Sequence, residues 1–294
     1  MSPRHAVLLA IGVVAISFAS VLIRLTDAPA LAIAFYRNAM AVAIVLPLAL
    51  SRHRGELRSL RARDWVVAAI AGALLAAHFA LWVPSLSYTT VAASTVLVTS
   101  HPVWVVVIGR SLGERAPRRV WIGIGLSLAG AALISGGDFG LSGRAAFGDL
   151  LALLGAVAAA GYYLSGRSLR RRVSLLSYVG IVYTTCAVVL AGAMVVSGTA
   201  FSGYGKGAWL MLALMALGPQ ILGHTVFNYL LRDVETVVVS IAITGEPVGA
   251  TLLALAFFGE VPTWTVLAGG VLVLLGIYAT VAAQRRTEPE IPIG

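Results

Sequence analysis

The chain has 294 residues, of which 59% are hydrophobic and only 11% charged, with a formal net charge of +9. Soluble domains carry about 25% charged residues, so this composition excludes a soluble protein and indicates one that spans a membrane. The single cysteine, Cys186, excludes an internal disulfide and any metal site built on cysteines.

Apolar windows of about 20 residues, the length of a bilayer-spanning helix, recur along almost the whole chain. We therefore predict an all-α integral membrane protein with ten transmembrane helices, here called spans 1 to 10. Span 1 is predicted to be a mature helix rather than a signal peptide, because further spans follow it and because Ser17 and Ser20 lie within it. The predicted spans are 5–23, 30–50, 65–86, 91–109, 120–136, 148–165, 175–197, 207–230, 236–257 and 264–283.

The basic residues of the short loops predict the orientation of the spans. With the N-terminus in the cytoplasm, seventeen lysines and arginines fall on the inner side, and only Arg24, Arg144 and Lys206 fall on the outer side. Short cytoplasmic loops are enriched in lysine and arginine, so both termini are predicted to be cytoplasmic. This topology also explains the positive net charge without nucleic-acid binding.

Two parts of the sequence resemble each other at an offset of 146 residues. The stretch 113–131 aligns with 259–277, so that a Gly-Glu pair and two further glycines coincide, and the same offset places His78 on His224. Spans 1–5 therefore correspond to spans 6–10, and the odd number of spans requires the second copy to insert upside down. Inverted repeats of this kind are typical of secondary transporters. The predicted domains are residues 1–137 and residues 138–294.

Spans 4 and 9 each have an ionisable residue followed by proline near their centre. The pairs are His101-Pro102 and Glu246-Pro247, and they align in the repeat once a single gap is allowed. Proline removes a helix hydrogen bond and disfavours the helical conformation of the residue before it. A charge at bilayer depth costs at least ~3 kcal/mol. Interrupted helices at equivalent places in the two halves predict a transport site near the membrane midplane.

Five ionisable residues are predicted within the spans, and each has a functional and a structural interpretation. A carboxyl in a low-dielectric site can exchange a proton near neutral pH, so Glu246 is a candidate proton carrier or a partner for a substrate ammonium. The alternative is a glutamic acid that hydrogen-bonds a neighbouring helix. His101 can bind substrate or titrate, or it can satisfy the carbonyl that Pro102 frees.

His78 and His224 precede Trp82 and Asn228 by four residues, so each pair shares one helix face. We expect these faces to line a pore, with interhelical hydrogen bonds as the alternative. Three histidines and a glutamate could ligate zinc, but their spacing within the spans matches neither HxxxH nor HxxE, so no metal site is predicted.

Arg37 lies about seven residues into span 2 from the predicted outer side. It could attract a carboxylate at the outer mouth, and the favoured alternative is that it snorkels to the interface or pairs with Asp27. Trp82, Trp104, Tyr162 and Tyr163 lie inside spans rather than at the interfaces that tryptophan and tyrosine usually occupy. These rings either stack on an apolar or aromatic substrate or pack in the core.

Small residues recur in spans 5 and 10, as Gly123-x3-Ser127-x3-Ala131 and Gly276-x3-Thr280. Such spacing lets helices approach closely. Because these spans are the last of each half, we expect them to brace the scaffold, with a dimer interface as the alternative.

Ten spans in two inverted halves, with Gly-Glu after spans 4 and 9, resemble the drug/metabolite transporter superfamily. Within it the chain is similar to the EamA family over residues 6–283, and most similar to bacterial aromatic amino-acid exporters. The resemblance implies a central cavity among spans 1, 3, 4, 6, 8 and 9, with spans 5 and 10 behind it and Arg37 outside the cavity wall. The substrate-binding residues that this selects are His78, Trp82, His101, Tyr163, His224, Asn228 and Glu246.

The predicted function is export of amino acids with aromatic or other apolar side chains, or of similar metabolites, across the bacterial inner membrane by alternating access. No enzyme activity, cofactor or nucleic acid is predicted, and the expected partners are the substrate, membrane lipid and protons. The expected oligomeric state is a monomer or a weak dimer. No GxxxxGK[ST] motif is present, so active export would use an ion gradient, with Glu246 or a cavity histidine as the proton site. Facilitated diffusion fits the sequence equally well.

Four alternatives remain open. A multidrug or other metabolite exporter of the same fold would share this cavity. A sugar-phosphate carrier would need cations in the cavity to bind phosphate, and only the peripheral Arg37 is available. An intramembrane enzyme or a channel has less support, since no nucleophile–base pairing is evident and the polar residues lie on symmetry-related spans.

Overall fold

A computed structural model describes residues 3–113, 117–141, 143–170, 172–230, 242–243 and 245–285. Within these ranges every regular element is a helix. The helices are α1 (Pro3–Leu25), α2 (Ala30–Arg52), α3 (Arg54–Ser59), α4 (Ala62–Ser85), α5 (Val91–Val98), α6 (His101–Ser111), α7 (Arg118–Leu141), α8 (Gly143–Arg170), α9 (Leu175–Ser197), α10 (Lys206–Leu230), α11 (Glu246–Phe258) and α12 (Trp264–Arg285).

Seven segments are long and apolar enough to cross a membrane: α1, α2, α4, the α5–α6 segment Val91–Ser111, α8, α9 and α10. Two shorter apolar stretches, Val120–Ile134 and Trp264–Thr280, coincide with predicted spans 5 and 10. A third, Glu246–Phe258, covers the second part of predicted span 9, of which residues 236–241 and 244 lie outside the described residues. The multi-pass helical architecture is therefore confirmed. The number of ten crossings and the cytoplasmic placement of both termini stay predictions.

Local signals fix several helix ends. The hydroxyl oxygen of Thr90 accepts a hydrogen bond from the Ala93 amide at 3.1 Å and caps the start of α5, and Ser174 caps α9 in the same way. At the other ends of their helices, Gly198 terminates α9 at a φ of 69° and Gly259 terminates α11 at 65°. Glycine adopts this left-handed conformation without the steric cost that a Cβ imposes.

The connections gather at two opposite ends of the bundle. At one end, Arg24 in the last turn of α1 donates to the Leu86 carbonyl between α4 and α5 and to Glu260, which follows α11. At the other end, Glu56 of α3 accepts a hydrogen bond from the Ser174 amide at 2.8 Å, and Arg172 pairs with Asp64 at 2.9 Å. These two groups of loops are the predicted outer and inner groups, respectively.

The contacts between helices are the same when each helix is replaced by its equivalent in the other half. The contact of α4 with α8 has its counterpart in the contact of α10 with α1, and α5 and α6 pack on α8 as α11 packs on α1. Three further contacts join a helix to its own counterpart: α2 with α9, α5 with α11, and α7 with α12. This pattern has the form of a two-fold pseudosymmetry between the halves.

The contact of α7 with α12, here called the glycine seam, shows the direction of the symmetry. A Cβ on Gly123 would lie 2.6 Å from the Gly276 carbonyl oxygen, and a Cβ on Gly130 would lie 2.5 Å from that of Gly269. Residue numbers rise along one helix as they fall along the other, so the two helices are antiparallel. The antiparallel contact of repeat equivalents is what an upside-down second copy produces.

Ser127 lies near the local two-fold axis of the seam, because its hydroxyl donates to the carbonyl of Val273, its equivalent at an offset of 146. Ser127 and Thr280 are buried within the chain, at 2% and 0% exposure. The small residues of spans 5 and 10 are thus used in the scaffold, as expected, and the seam leaves them unavailable for a dimer contact.

Candidate functional site

A central cavity of about 50 Å³ lies between the two halves. It is lined from α1, α4, the α5–α6 segment, α8, α10 and α11, with Tyr183 added from α9. All seven residues that the sequence analysis selected line it: His78, Trp82, His101, Tyr163, His224, Asn228 and Glu246. The structure thus brings together residues that are up to 168 positions apart in the chain.

The broken spans reach the cavity at their interruptions. Regular helix ends at Val98 and restarts at His101, and in the second half α11 begins at Glu246. Pro102 and Pro247 therefore lie in the first turn of a helix, where the missing N–H has no helical partner to lose. The His101 ring lines the cavity, and its functional and structural interpretations both stay predictions.

Ring stacking organises the first-half wall of the cavity. The His78 and Trp82 rings stack with centroids 5.8 Å apart, and those of His101 and Tyr163 stack at 5.0 Å. His78 Nδ1 lies 2.9 Å from the Gly155 carbonyl oxygen. Because a carbonyl only accepts, Nδ1 donates to it, and in the neutral imidazole this leaves Nε2 as an acceptor.

The second-half wall differs from the first. Asn228 donates from its side-chain amide to the His224 carbonyl at 2.9 Å, so this pair interacts through the backbone rather than by stacking. His224 lies in the last turn of a π-helical stretch of α10, Ala216–Thr225, which contains Pro219, and Asn228 follows this stretch. π-Helical turns often occur at functional sites. The sequence analysis did not predict this stretch.

Arg37 has neither of its favoured predicted roles, snorkelling or pairing with Asp27. Its side chain is completely buried, and Nε and Nη2 donate to one oxygen of Gln220, at 3.1 and 2.9 Å. The guanidinium carbon also lies 4.2 Å from the centroid of the Phe79 ring. Gln220 and Phe79 both line the cavity, so Arg37 lies directly behind the cavity wall rather than at the outer mouth.

Within the ranges that the structure describes, the cavity wall holds one acid, and a buried cation lies directly behind that wall. The acid is Glu246, which is 7% exposed, and the cation is Arg37. Among the described residues no three side chains of the histidine, cysteine, aspartate and glutamate types lie close enough to hold a metal ion.

Sequence reasoning missed several lining residues, among them Phe79, Tyr183 and Gln220. Two signals were present. Gln220 precedes His224 by four residues and so shares its helix face, and Tyr183 is the repeat equivalent of Arg37 at an offset of 146. Phe79 carries no signal beyond its hydrophobicity.

A multi-pass helical bundle with two-fold pseudosymmetry and a central cavity between its halves is the architecture of a membrane transporter. The chain belongs to the EamA-like transporter family, which it matches over residues 4–136 and 146–282. Both matched stretches contain cavity-lining residues from broken spans, His101 in the first and Glu246 in the second.

The similarity to known proteins covers nearly the whole chain. A protein of Archaeoglobus fulgidus that is described as an uncharacterized transporter is 26% identical over 284 residues, covering 92% of this chain and 94% of its own. One solved crystal structure superposes with a TM-score of 0.68 at 18% identity, covering 96% of this chain and 99% of the other. The fold is thus that of a known structure from end to end.

Proposed function

We propose that the protein exports amino acids with aromatic or other apolar side chains, or similar small amphiphilic metabolites, across the bacterial inner membrane. One observation carries this proposal. A single cavity joins aromatic faces, imidazole nitrogens and a buried carboxyl at the interruption of two symmetry-related spans. A mainly apolar pocket with a few convergent polar groups is the usual form of a small-molecule site.

The aromatic residues favour an apolar side chain in the substrate. Phe79, Trp82, Tyr162 and Tyr163 contribute ring faces or edges to the same wall. Offset or edge-to-face stacking between rings contributes about 1 kcal/mol beyond the burial of apolar area. A sugar phosphate carries about two negative charges and would need several cations beside it, and among the described residues that line the cavity there is no lysine or arginine.

Alternating access is supported by the small size of the cavity. A volume of about 50 Å³ has room for a few water molecules and not for an amino acid, so the halves must move to admit substrate. At the predicted outer end, Arg24 donates to Glu260 at 2.6 Å and to the Thr89 carbonyl at 2.7 Å, and Glu260 accepts from the Val91 amide at 2.6 Å. These bonds tie α1, α5 and α11 together at that end. We propose that residues 1–137 and 138–294, with five spans each, rock about the broken helices.

Glu246 is the proposed proton site. It is the acid that lines the cavity, and it begins α11 directly after the interruption. A carboxyl that gains and loses a proton there would couple the occupancy of the cavity to a pH gradient. The substrate's own concentration gradient is the alternative driving force.

The test is efflux from proteoliposomes that contain the purified protein. Liposomes are loaded with radiolabelled aromatic or aliphatic amino acids, and efflux is measured with and without a pH gradient for the wild type and Glu246→Gln. We expect saturable efflux that the gradient accelerates in the wild type only.

Other results have definite meanings. Equal saturable efflux in all four conditions would show facilitated diffusion and a structural Glu246. If no amino acid leaves the liposomes, the substrate assignment is wrong, and competition with cationic drugs then tests the multidrug alternative.

A further inference from the structure

We infer that Arg37 and Gln220 form a carboxylate subsite of the cavity, in which a substrate carboxylate replaces the Gln220 oxygen on Arg37 while the substrate ammonium faces Glu246. The ligand class is a zwitterionic α-amino acid held in one orientation. This inference rests on the proposed function and deepens it, because it assigns a specificity-determining role to a residue behind the cavity wall.

In the Arg37–Gln220 contact, the guanidinium of Arg37 holds an oxygen acceptor in the way that it would hold an anion. Two guanidinium nitrogens of Arg37, Nε and Nη2, converge on one amide oxygen at 3.1 and 2.9 Å. These parallel N–H groups form the fork that pairs with the two oxygens of a carboxylate. Gln220 offers the fork one neutral oxygen, so a carboxylate would gain one more acceptor and a negative charge.

The charge of Arg37 is not paired in a salt bridge. In the described part of the chain Arg37 forms no salt bridge with an acid, and its Nη1 has no hydrogen-bond partner. Leaving a buried charge unpaired is costly, and ionisable residues inside membranes mark functional sites. The Phe79 ring, whose centroid lies 4.2 Å from the guanidinium carbon, offsets part of this cost.

A second buried donor beside Arg37 also lacks an acceptor. The Trp82 side chain is buried, with 3% exposure, and its indole Nε1 has no hydrogen-bond partner among the described residues. The Arg37 guanidinium carbon lies 6.0 Å from the centroid of the Trp82 ring. Buried donors are satisfied in nearly all native structures, so the unpaired indole N–H on the cavity wall indicates a missing acceptor. A substrate carboxylate would supply it.

The placement of Gln220 allows this exchange. Gln220 lies on the cavity wall within the π-helical stretch and separates Arg37 from the cavity. Glu246 lines the same cavity. When Gln220 moves aside, a zwitterion between Arg37 and Glu246 meets a positive group at one end and a negative group at the other.

The experiment measures efflux of three compounds with the same aromatic side chain: the α-amino acid, the amine that lacks its carboxylate, and the acid that lacks its ammonium group. For the wild type we expect the amino acid to leave at least about 100-fold faster than the amine, because a site built to bind a polar group rejects the analogue without it. In Arg37→Met this preference should fall to below about tenfold. Equal efflux of amino acid and amine from the wild type would overturn the inference.

Two substitutions of Gln220 form a matched pair. Gln220→Glu supplies a carboxylate from the protein itself, so it should occupy the fork and lower amino-acid efflux by about tenfold or more. Gln220→Leu has a similar size and removes the neutral acceptor, so it should keep the preference for the carboxylate. If Gln220→Glu exports the amino acid as fast as the wild type does, Arg37 is not the carboxylate site.

Folding and substrate class are separated from the inference by further readouts. Size-exclusion elution and thermal unfolding in detergent identify a variant that fails to fold, and Arg37→Lys then provides a charged replacement without the fork. If the wild type carries the acid lacking the ammonium group but no amino acid, the proposed function fails while the carboxylate subsite stands. If it carries no compound with a carboxylate, the subsite is wrong as well.

Discussion

The glycine seam and the central cavity are built from equivalent residues of the two halves, but they keep the symmetry to different degrees. At the seam, Gly123 and Gly130 have glycines as their equivalents, Gly269 and Gly276. At the cavity His78 and His224 are alike, whereas His101 stands against Glu246 and Trp82 against Asn228. Both helices of the seam need the same close approach, whereas two unlike walls suit the proposed substrate, whose two ends differ chemically.

The largest predicted effect is at the seam. Gly276→Ala places a Cβ 2.3 Å from the Ser127 hydroxyl oxygen and 2.5 Å from the Gly123 carbonyl oxygen. The second of these is a backbone atom, which cannot move aside as a flexible side chain can. We expect a loss of about 3 kcal/mol or more in the free energy of unfolding, seen as a lower unfolding temperature and yield in detergent. Gly125→Ala, on α7 with open space around it, is the matched control. An equal loss in both variants would contradict a role for close packing at the seam.

A substitution at the cavity tests whether the asymmetry there is functional. Glu246→His gives the second half the residue that its counterpart has at His101, so the two interruptions become alike. We expect the protein to fold, with amino-acid efflux no longer accelerated by a pH gradient. Retained acceleration in this variant would mean that the proton site lies elsewhere.

The ion pair at the predicted outer end predicts a smaller effect on conformation. Glu260→Gln removes the charge that holds Arg24 and weakens the acceptor at the Val91 amide. A partly exposed pair contributes about 1 kcal/mol, equivalent to about a fivefold shift toward the state that is open at that end. Ile33 is buried and lines the same small pocket as Arg24. A cysteine introduced at Ile33 should therefore react with a thiol reagent faster by a similar factor in Glu260→Gln.

The exchanged pair Arg24→Glu with Glu260→Arg is the control for that experiment. It restores opposite charges at the same two positions and should slow the labelling again. Fast labelling in the exchanged pair would assign the effect to the lost backbone contacts of Arg24 instead of to the charge.

The smallest predicted effect concerns Glu56 at the opposite end. Burial alone would raise the pKa of its carboxyl, but the hydrogen bonds from Ser174 and Ser177 outweigh it and hold the pKa below its ordinary value of 4.5. The folded pKa is thus lower than the unfolded one, so the stabilisation is present above pH 4.5 and is lost as the pH falls through the folded value. Glu56→Gln should cost about 1 kcal/mol at pH 7 and progressively less below pH 4.5.

Thermal unfolding of the wild type and Glu56→Gln across this pH range measures that difference. His53→Gln is the control, because His53 lies 3.8 Å from Glu56 and is partly exposed. A difference between wild type and Glu56→Gln that stays constant with pH would exclude a contribution from the charged carboxylate.

The sequence predicted the multi-pass helical bundle because hydrophobic runs of spanning length can be read directly from the chain. It also selected seven residues that the structure places on one cavity, because the proline positions and the offset between the repeats are local features of the sequence. It did not predict the position of Arg37. Burial of that side chain depends on Gln220, 183 residues away, and on a π-helical stretch whose register no local pattern of hydrophobic residues specifies. A contact across the fold decides whether an arginine snorkels or turns inward.

The backbone-to-backbone contact of α7 and α12 has a mechanical consequence. Two helices that approach this closely cannot slide past each other without separating first, so the seam can serve as the pivot about which the two halves rock. Distances between labels on α7 and α12 at the seam should then change less when substrate is added than distances between labels on cavity helices of opposite halves.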